Sequence, residues 1–155
     1  MIYPEKNYQT AQIIDNSICN NTLIGNSMMI KLDSIFNHVI TGNIFAKNIL
    51  ESAEFDQPTL ISSASGIQIS DCQFEDNEII QSFLITVTSM AKDMTTFFLK
   101  DSNFTRNKLI SHDELPTSMF SVRGSTLQPI SVQMSNVTVR DNLISQIEEG
   151  SSTKV

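Results

Sequence analysis

One pattern occurs five times in this sequence, and it constrains the fold more than any other feature. It reads apolar residue, any residue, Asp or Asn, two further residues, apolar residue, two further residues, Asn, any residue, apolar residue. The third repeat fills the defined slots with Ile69, Asp71, Phe74, Asn77 and Ile79. The other repeats fill them with Ile13, Asp15, Ile18, Asn21 and Leu23; with Ile35, Asn37, Ile40, Asn43 and Phe45; with Leu99, Asp101, Phe104, Asn107 and Leu109; and with Met134, Asn136, Val139, Asn142 and Ile144. Each slot keeps its chemical type, which is typical of a repeat architecture.

The spacing of the pattern asparagines indicates which repeat architecture this is. The intervals are 22, 34, 30 and 35 residues. Solenoids of helix pairs hold their period nearly constant, whereas loops between the short strands of a parallel β-helix can lengthen without disturbing the stack. The sequence therefore predicts an all-β chain, a right-handed parallel β-helix of about five coils. We place it at residues 11–147, between an N-terminal segment at 1–10 and a tail at 148–155.

Further apolar alternations lie between the repeats, and each is expected to form a third strand that closes its coil. They are Met28–Leu32, Leu60–Ile61, Phe83–Val87 and Met119–Val122.

Stacked coils turn each slot of the pattern into a column, because neighbouring strands lie about 4.8 Å apart. Asparagine side chains in one column can hydrogen-bond from amide to amide. We predict such a structural column from Asn21, Asn43, Asn77, Asn107 and Asn142. Phe104 is expected in the core between Phe74 and Val139, and Arg106 on the outside in a charge column with Asp76 and Asp141.

Composition and charge exclude several classes of protein. The chain has 155 residues, enough for one domain with a core, and a net charge of −7 from 10 basic and 17 acidic residues. Nucleic-acid binding needs a basic stripe that these counts do not supply. No run approaches the roughly 18 apolar residues of a spanning helix, so no direct membrane insertion is expected. The first ten residues lack the apolar segment of a signal peptide, so a signal for export would lie outside this sequence.

Candidate catalytic and metal-binding residues are few. Asp71 and Asp101 fall in the turn column of the pattern, which gives them a structural role. His38 is expected at a corner, hydrogen-bonded, in the column of Cys72, and His112 in a solvated loop. The two cysteines, Cys19 and Cys72, occupy different columns and are expected to be free thiols. We therefore predict no enzyme activity, no cofactor and no metal site.

Three sequons occur, at Asn20, Asn103 and Asn136, and their number is about that expected by chance. Asn103 is the one expected to be exposed enough to carry a glycan.

The short form of the pattern, apolar-x-x-Asn, appears as ICNN, ITGN, FEDN, FTRN and VRDN. It resembles the repeats of right-handed parallel β-helices of the pectin-lyase-like superfamily, and is similar to the non-enzymatic kind in surface proteins of protists and in bacterial polymorphic outer-membrane proteins. The resemblance covers residues 11–147. Enzymes of the superfamily carry paired aspartates with a Gly-His-Gly segment, or a calcium-binding acid cluster with an arginine. The first set is missing here, and only Asp71, Asp101 and Arg106 could supply the second.

The resemblance and the repeats together lead to one expected function and one alternative. We expect a non-catalytic structural or adhesive scaffold, as a segment of a larger protein or a subunit of a large assembly. Its partners would be proteins docked at the open ends of the solenoid, or a continuation of the same chain. Its place would be outside the cell or on the cell surface, with an intracellular assembly as the alternative compartment. The alternative function is a carbohydrate-binding or carbohydrate-cleaving module.

Overall fold

The computed structural model describes residues 10–32, 37–52, 57–89, 95–112, 117–124 and 129–147. The described residues form 19 strands that wind as a right-handed parallel β-helix of about five coils, which confirms the predicted fold. The expected terminal segments, 1–10 and 148–155, lie outside the described residues except for Thr10.

The strands are short, as expected for a solenoid whose corners interrupt every few residues. The first coil contains β1 (Gln12–Ile14), β2 (Ser17–Cys19), β3 (Thr22–Ile24) and β4 (Met28–Leu32). The second contains β5 (His38–Thr41), β6 (Ile44–Ala46), β7 (Ile49–Glu51) and β8 (Thr59–Ser63). The third contains β9 (Ile67–Ser70), β10 (Gln73–Glu75), β11 (Glu78–Ile80) and β12 (Phe83–Thr88). The fourth contains β13 (Thr95–Lys100), β14 (Asn103–Thr105), β15 (Lys108–His112) and β16 (Ser118–Arg123). The fifth contains β17 (Ile130–Ser135), β18 (Thr138–Arg140) and β19 (Leu143–Ile147).

Four parallel sheets run along the stack, one more than the three strands per coil that we expected. Sheet A contains β1, β5, β9, β13 and β17; sheet B contains β2, β6, β10, β14 and β18; sheet C contains β3, β7, β11, β15 and β19; and sheet D contains β4, β8, β12 and β16. The pattern itself crosses three strands, because one strand ends just before the Asp/Asn slot and a second ends just before the residue that precedes the pattern Asn. The apolar alternations between the repeats therefore form a fourth sheet, sheet D, rather than a third.

The second repeat lies in a different register from the predicted one. Ile13 pairs with Ile40 in sheet A, whereas we had aligned Ile13 with Ile35. The slots of this coil are therefore filled by Ile40, Gly42, Phe45, Asn48 and Leu50. Both ITGN and FAKN satisfy the short pattern, but only FAKN brings the ring of Phe45 onto that of Phe74, with centroids 4.8 Å apart. Ile35, which the prediction used, lies outside the described residues.

The corners have a left-handed backbone, which explains the polar residues found there. The Asp/Asn slot holds Asp15, Gly42, Asp71, Asp101 and Asn136, with φ between 47° and 68°. The residue before each pattern asparagine is also left-handed: Asn20, Lys47, Asp76, Arg106 and Asp141, with φ between 52° and 60°. Asn, Asp and Gly adopt this region at the lowest cost, so the sequence marks the first corner clearly and the second less so.

The core lies inside the coils and is built from columns of apolar side chains. Phe74 stacks on Phe104 with ring centroids 4.5 Å apart and planes 3° apart. Phe45, Phe74 and Phe104 are fully buried, and Phe120 meets Phe104 edge-on at 5.0 Å. Phe104 also pairs with Val139 in the next coil, so its predicted position in the stack is the observed one.

Candidate functional site

A ladder of asparagines runs along one corner of the solenoid. The backbone N–H and the side-chain amide of Asn48 both donate to Oδ1 of Asn77, each at 3.0 Å. The same pair of bonds links each member to the next, and the ladder is Asn21, Asn48, Asn77, Asn107 and Asn142. From the second coil on, each side-chain amide also donates to a carbonyl of the preceding coil, as Asn77 does to Phe45 at 2.9 Å. The ladder thus has a direction: each backbone N–H donates to the asparagine of the following coil, and each Oδ1 accepts from the asparagine of the preceding coil.

Asn43 does not belong to this ladder, contrary to our prediction, and Asn48 takes its place. Asn43 lies at the preceding corner, where its Oδ1 accepts the backbone N–H of Asn16 at 2.9 Å. In the same position of the third coil, the backbone N–H of Cys72 donates to the hydroxyl of Ser102 at 3.2 Å. The sequence predicted this column with His38 as its second-coil member, and the register of the second coil places Asn43 there instead.

Charged side chains outside the coils pair between neighbouring coils, as the outer columns predicted. Arg106 donates to Asp76 at 2.8 Å and to Glu75 at 2.7 Å, and Lys108 donates to Glu78 at 2.9 Å. The hydrogen bond from Arg106 holds the pKa of Asp76 below its ordinary value. All these groups are solvent-accessible, so they define the register more than they stabilise it.

The turn-column aspartates do not form a metal site in the described part of the chain. The amide of Asn136 donates to Asp101, at 2.6 Å, and Lys100 lies 3.2 Å from the same carboxylate. These contacts, with the Asn136 bond as the larger cause, lower the pKa of Asp101. No group of three or more His, Cys, Asp or Glu side chains comes together among the described residues.

His38 lies in a strand and not at the predicted corner. It pairs with Ile67 in sheet A, is buried, and accepts the backbone N–H of Ala11 at Nδ1, at 3.2 Å. Burial lowers its pKa. The second coil lies five residues away from its predicted register, because Ile40 and not Ile35 fills the first slot. This shift moves His38 out of the corner column of Cys72 and into the preceding strand.

Both cysteines are free thiols, as predicted. Cys72 is buried, which raises the pKa of its thiol, and Cys19 is half-buried beside the hydroxyl of Ser17. A thiol with a raised pKa is a poor nucleophile.

The fifth coil exposes the apolar columns that the inner coils bury. In coils two to four, the residues in the three apolar slots of the repeat pattern are 0–5% exposed. They are Ile40, Ile69, Leu99, Phe45, Phe74, Phe104, Leu50, Ile79 and Leu109. In the fifth coil Met134 is 50% exposed, Val139 56% and Ile144 78%. At the other end of the stack, Ile13 and Ile18 are half-buried and Leu23 is buried. We call the surface formed by Met134, Val139 and Ile144 the C-terminal face, and that formed by the half-buried Ile13 and Ile18 the N-terminal face.

A polar cleft of about 400 Å³ lies on the outer side of sheet B. Its described lining is made of hydroxyl, amide and charged side chains: Gln73, Glu75, Asn103, Thr105, Arg106, Thr138 and Arg140. Asn103, the expected glycan acceptor, is exposed at the start of β14 and lines this cleft. Its glycosylation remains a prediction.

Comparison with known proteins adds no family to this description. No protein-family model, no curated protein and no solved structure matches the chain. Within the described residues, no helix has the length and apolar character needed to cross a bilayer.

Proposed function

We propose that this chain is a non-catalytic scaffold of the pectin-lyase-like β-helix kind, which acts by stacking its end coils against other protein. It would serve as a segment of a larger protein or as a subunit of a large assembly. The proposal rests on residue types as well as on the fold, because the five repeats devote their slots to stacking columns. The acids nearest to a site are accounted for: Glu75, Asp76 and Glu78 form ion pairs, and Asp71 and Asp101 lie at turns.

The C-terminal face is the single observation that carries this proposal. Three apolar columns that are closed in every inner coil end there with half or more of each side chain in solvent. Met134, Val139 and Ile144 lie side by side on one coil, and an apolar patch of this kind marks an interaction site more often than an idle surface. Among the described strands, none pairs with the outer edges of β17, β18 and β19, so their backbone groups can pair with a further coil.

Sedimentation velocity of the wild-type chain and of Val139→Lys tests the proposal. The wild-type chain should self-associate at micromolar concentration, because a coil placed on this face removes the three side chains from water. Val139→Lys places a charge in the contact, and we expect it to weaken association by at least about tenfold, since burying an unpaired charge costs well over the 1.4 kcal/mol that a factor of ten represents.

Thr138→Lys is the matched control, because Thr138 is the neighbouring residue on the same strand and points into the outer cleft. It adds the same charge without touching the C-terminal face and should leave association unchanged. A wild-type chain that remains a single monomeric species across this concentration range would refute the proposed function.

The cleft on sheet B favours a second candidate, a carbohydrate-binding module. Amide and hydroxyl groups such as those of Gln73, Asn103 and Thr138 suit the hydroxyls of a sugar, and Arg140 suits an acidic one. Isothermal titration with neutral and acidic oligosaccharides tests this candidate. Gln73→Ala should weaken binding, whereas Gln68→Ala, on the outer side of sheet A, should not; equal loss in both would reject the cleft.

For the compartment we propose the cell surface or the extracellular space, with an intracellular assembly as the alternative. Asn103 provides a test of this place, because it is exposed and an acceptor must be accessible to be modified. Expression through a secretory pathway should give a glycosidase-sensitive mass shift that Asn103→Gln removes. A glycan at Asn103 would also occupy the cleft, so glycosylation and sugar binding there exclude each other.

A further inference from the structure

The two ends of the solenoid carry complementary hydrogen-bonding groups at the same two corners. At the ladder corner, Oδ1 of Asn48 accepts two bonds from Asn21, but no described residue donates to Oδ1 of Asn21 itself. At the preceding corner, Asn16 likewise has an Oδ1 with no described donor, whereas Oδ1 of Asn43 in the next coil accepts a backbone N–H. Within the described residues, the N-terminal end therefore presents two amide oxygens that accept no hydrogen bond.

The C-terminal end presents the matching donors. The backbone N–H of Asn107 donates to Asn142, but the backbone N–H of Asn142 has no acceptor among the described residues. The same holds for the backbone N–H of Val137, which occupies the column of Asn16 and Asn43. In coils one to four a side-chain oxygen of the following coil accepts the ladder N–H. At the preceding corner a side-chain oxygen of the following coil does the same for Asn16 and for Cys72.

The backbone edges are complementary in the same sense. Between neighbouring coils, the N–H of each Asp/Asn-slot residue donates to the strand of the following coil, as Asp101 does to Ser135 at 3.1 Å. Asn136 occupies this slot in the fifth coil, and its N–H has no described acceptor. In the first coil, the carbonyl of Ile14 stands where such a bond would arrive.

We infer that the occupant of the C-terminal face is the N-terminal face of a second copy of this chain, stacked in register as a sixth coil would be. This inference rests on the proposed function and adds the partner and the polarity to it. In-register stacking gives Asn142 the Oδ1 of Asn21, gives Val137 the Oδ1 of Asn16, and covers Val139 with Ile18. Contact between two C-terminal faces would instead bring ladder donors against ladder donors.

Residues 148–155 do not offer this combination. They read EEGSSTKV, and one apolar side chain, Val155, does not fill three apolar columns. A head-to-tail contact that repeats by translation along the stack does not close on itself, so it generates linear filaments instead of a dimer.

Two variants, each blocked at one face, test the polarity. Val139→Lys blocks the C-terminal face and leaves the N-terminal face intact, and Ile18→Lys does the reverse. We expect each variant alone to be monomeric in sedimentation, and an equimolar mixture to form a one-to-one dimer. Circular dichroism and a thermal melt of each variant establish that it is folded.

The other outcomes separate this inference from the proposed function. Dimers of Ile18→Lys alone would mean that C-terminal faces pair with each other, which overturns the polarity and leaves the scaffold role standing. Dimers of Val139→Lys alone would overturn it equally, in favour of paired N-terminal faces. A monomeric mixture together with an associating wild type would place a different protein surface in the contact and refute the inference.

A second measurement avoids dependence on the folding of Ile18→Lys. In a Cys19→Ser background, Ile18→Cys and Val139→Cys variants are mixed and mildly oxidised. In-register stacking places the two thiols at the spacing of adjacent strands, within the reach of a disulfide, so a heterodimer joined through 18 and 139 is expected. Crosslinks between two 139 positions in excess of the heterodimer would contradict it.

Discussion

At the scale of single residues, the asparagine ladder shows why this side chain is repeated. An asparagine offers one acceptor and two donors on a short side chain, and the ladder uses all of them. Oδ1 of Asn77 accepts the backbone N–H and the side-chain amide of Asn48, while its own amide reaches the carbonyl of Phe45 and the next asparagine. Aspartate would supply the acceptor without the donors, and serine would not reach both coils.

Replacing a ladder asparagine should therefore lower the free energy of unfolding by more than the loss of so small a side chain would by itself. Asn77→Ala leaves the buried backbone N–H of Asn48 without an acceptor and removes the side-chain bonds to Asn48 and to the carbonyl of Phe45. The unsatisfied N–H alone should lower the free energy of unfolding by about 1–3 kcal/mol. Urea unfolding measures this loss. Asn103→Ala is the control, because Asn103 is exposed on the adjacent strand, and a loss there equal to that of Asn77→Ala would contradict the ladder.

His38 makes stability depend on pH in a predictable direction. Burial holds its folded pKa below the ordinary value of 6.5, so the unfolded chain binds the proton more readily than the folded protein does. The free energy of unfolding should therefore decrease as pH falls below about 6.5, and this contribution is fully present above that value.

Urea unfolding between pH 5 and pH 7.5 measures the dependence, and His38→Gln should remove this part of it while His112→Gln should not. Stability that rises as the pH falls through this window would show that the charged form of His38 is favoured in the folded state.

At the scale of strands and corners, the sequence predicts most of what forms. The third, fourth and fifth repeats lie in the predicted register, because Phe74, Phe104 and Val139 align with one another in sheet B. The second repeat was misplaced because ITGN and FAKN follow one another in the same coil, and both fit the short pattern. The chain follows FAKN because Phe45 then stacks on Phe74 and Leu50 pairs with Ile79. Each of these contacts joins residues 29 apart in the sequence, so the local pattern does not reveal them.

The phenylalanine column should dominate the stability of sheet B. Phe104→Ala leaves a cavity between the Phe74 ring and the fifth coil and removes the edge contact with Phe120, at a cost of about 3–5 kcal/mol. Arg106→Ala, two residues away on the outer surface, should be much less damaging, because its ion pairs are exposed to water. Denaturant unfolding of the two variants checks this order, and a larger effect at Arg106 would mean that the inner and outer faces of the strands are exchanged.

At the scale of the whole molecule, the repeat pattern did not predict the fourth sheet or the polarity of the end faces. The strands of sheet D were recognised as apolar alternations. The number of strands in each coil, however, depends on where the chain turns, and no constant residue marks the turns into sheet D. The C-terminal face was anticipated as an open end, whereas its polarity was not, since that depends on which way the ladder amides point. These features arise from geometry between coils and therefore emerge only when the coils are stacked.

The register of the first two coils is the most direct test of the account, because every column depends on coils stacked in parallel with Asn48 in the ladder. Thr22 pairs with Ile49 in sheet C, at the strand spacing that a disulfide can span. In a chain with Cys19→Ser and Cys72→Ser, the double variant Thr22→Cys with Ile49→Cys should oxidise quantitatively within the folded monomer. The double variant Thr22→Cys with Ile44→Cys, which matches the register of the local ITGN reading, should remain reduced. Oxidation of the second pair and not of the first, read by mass spectrometry, would contradict the stacked-column structure.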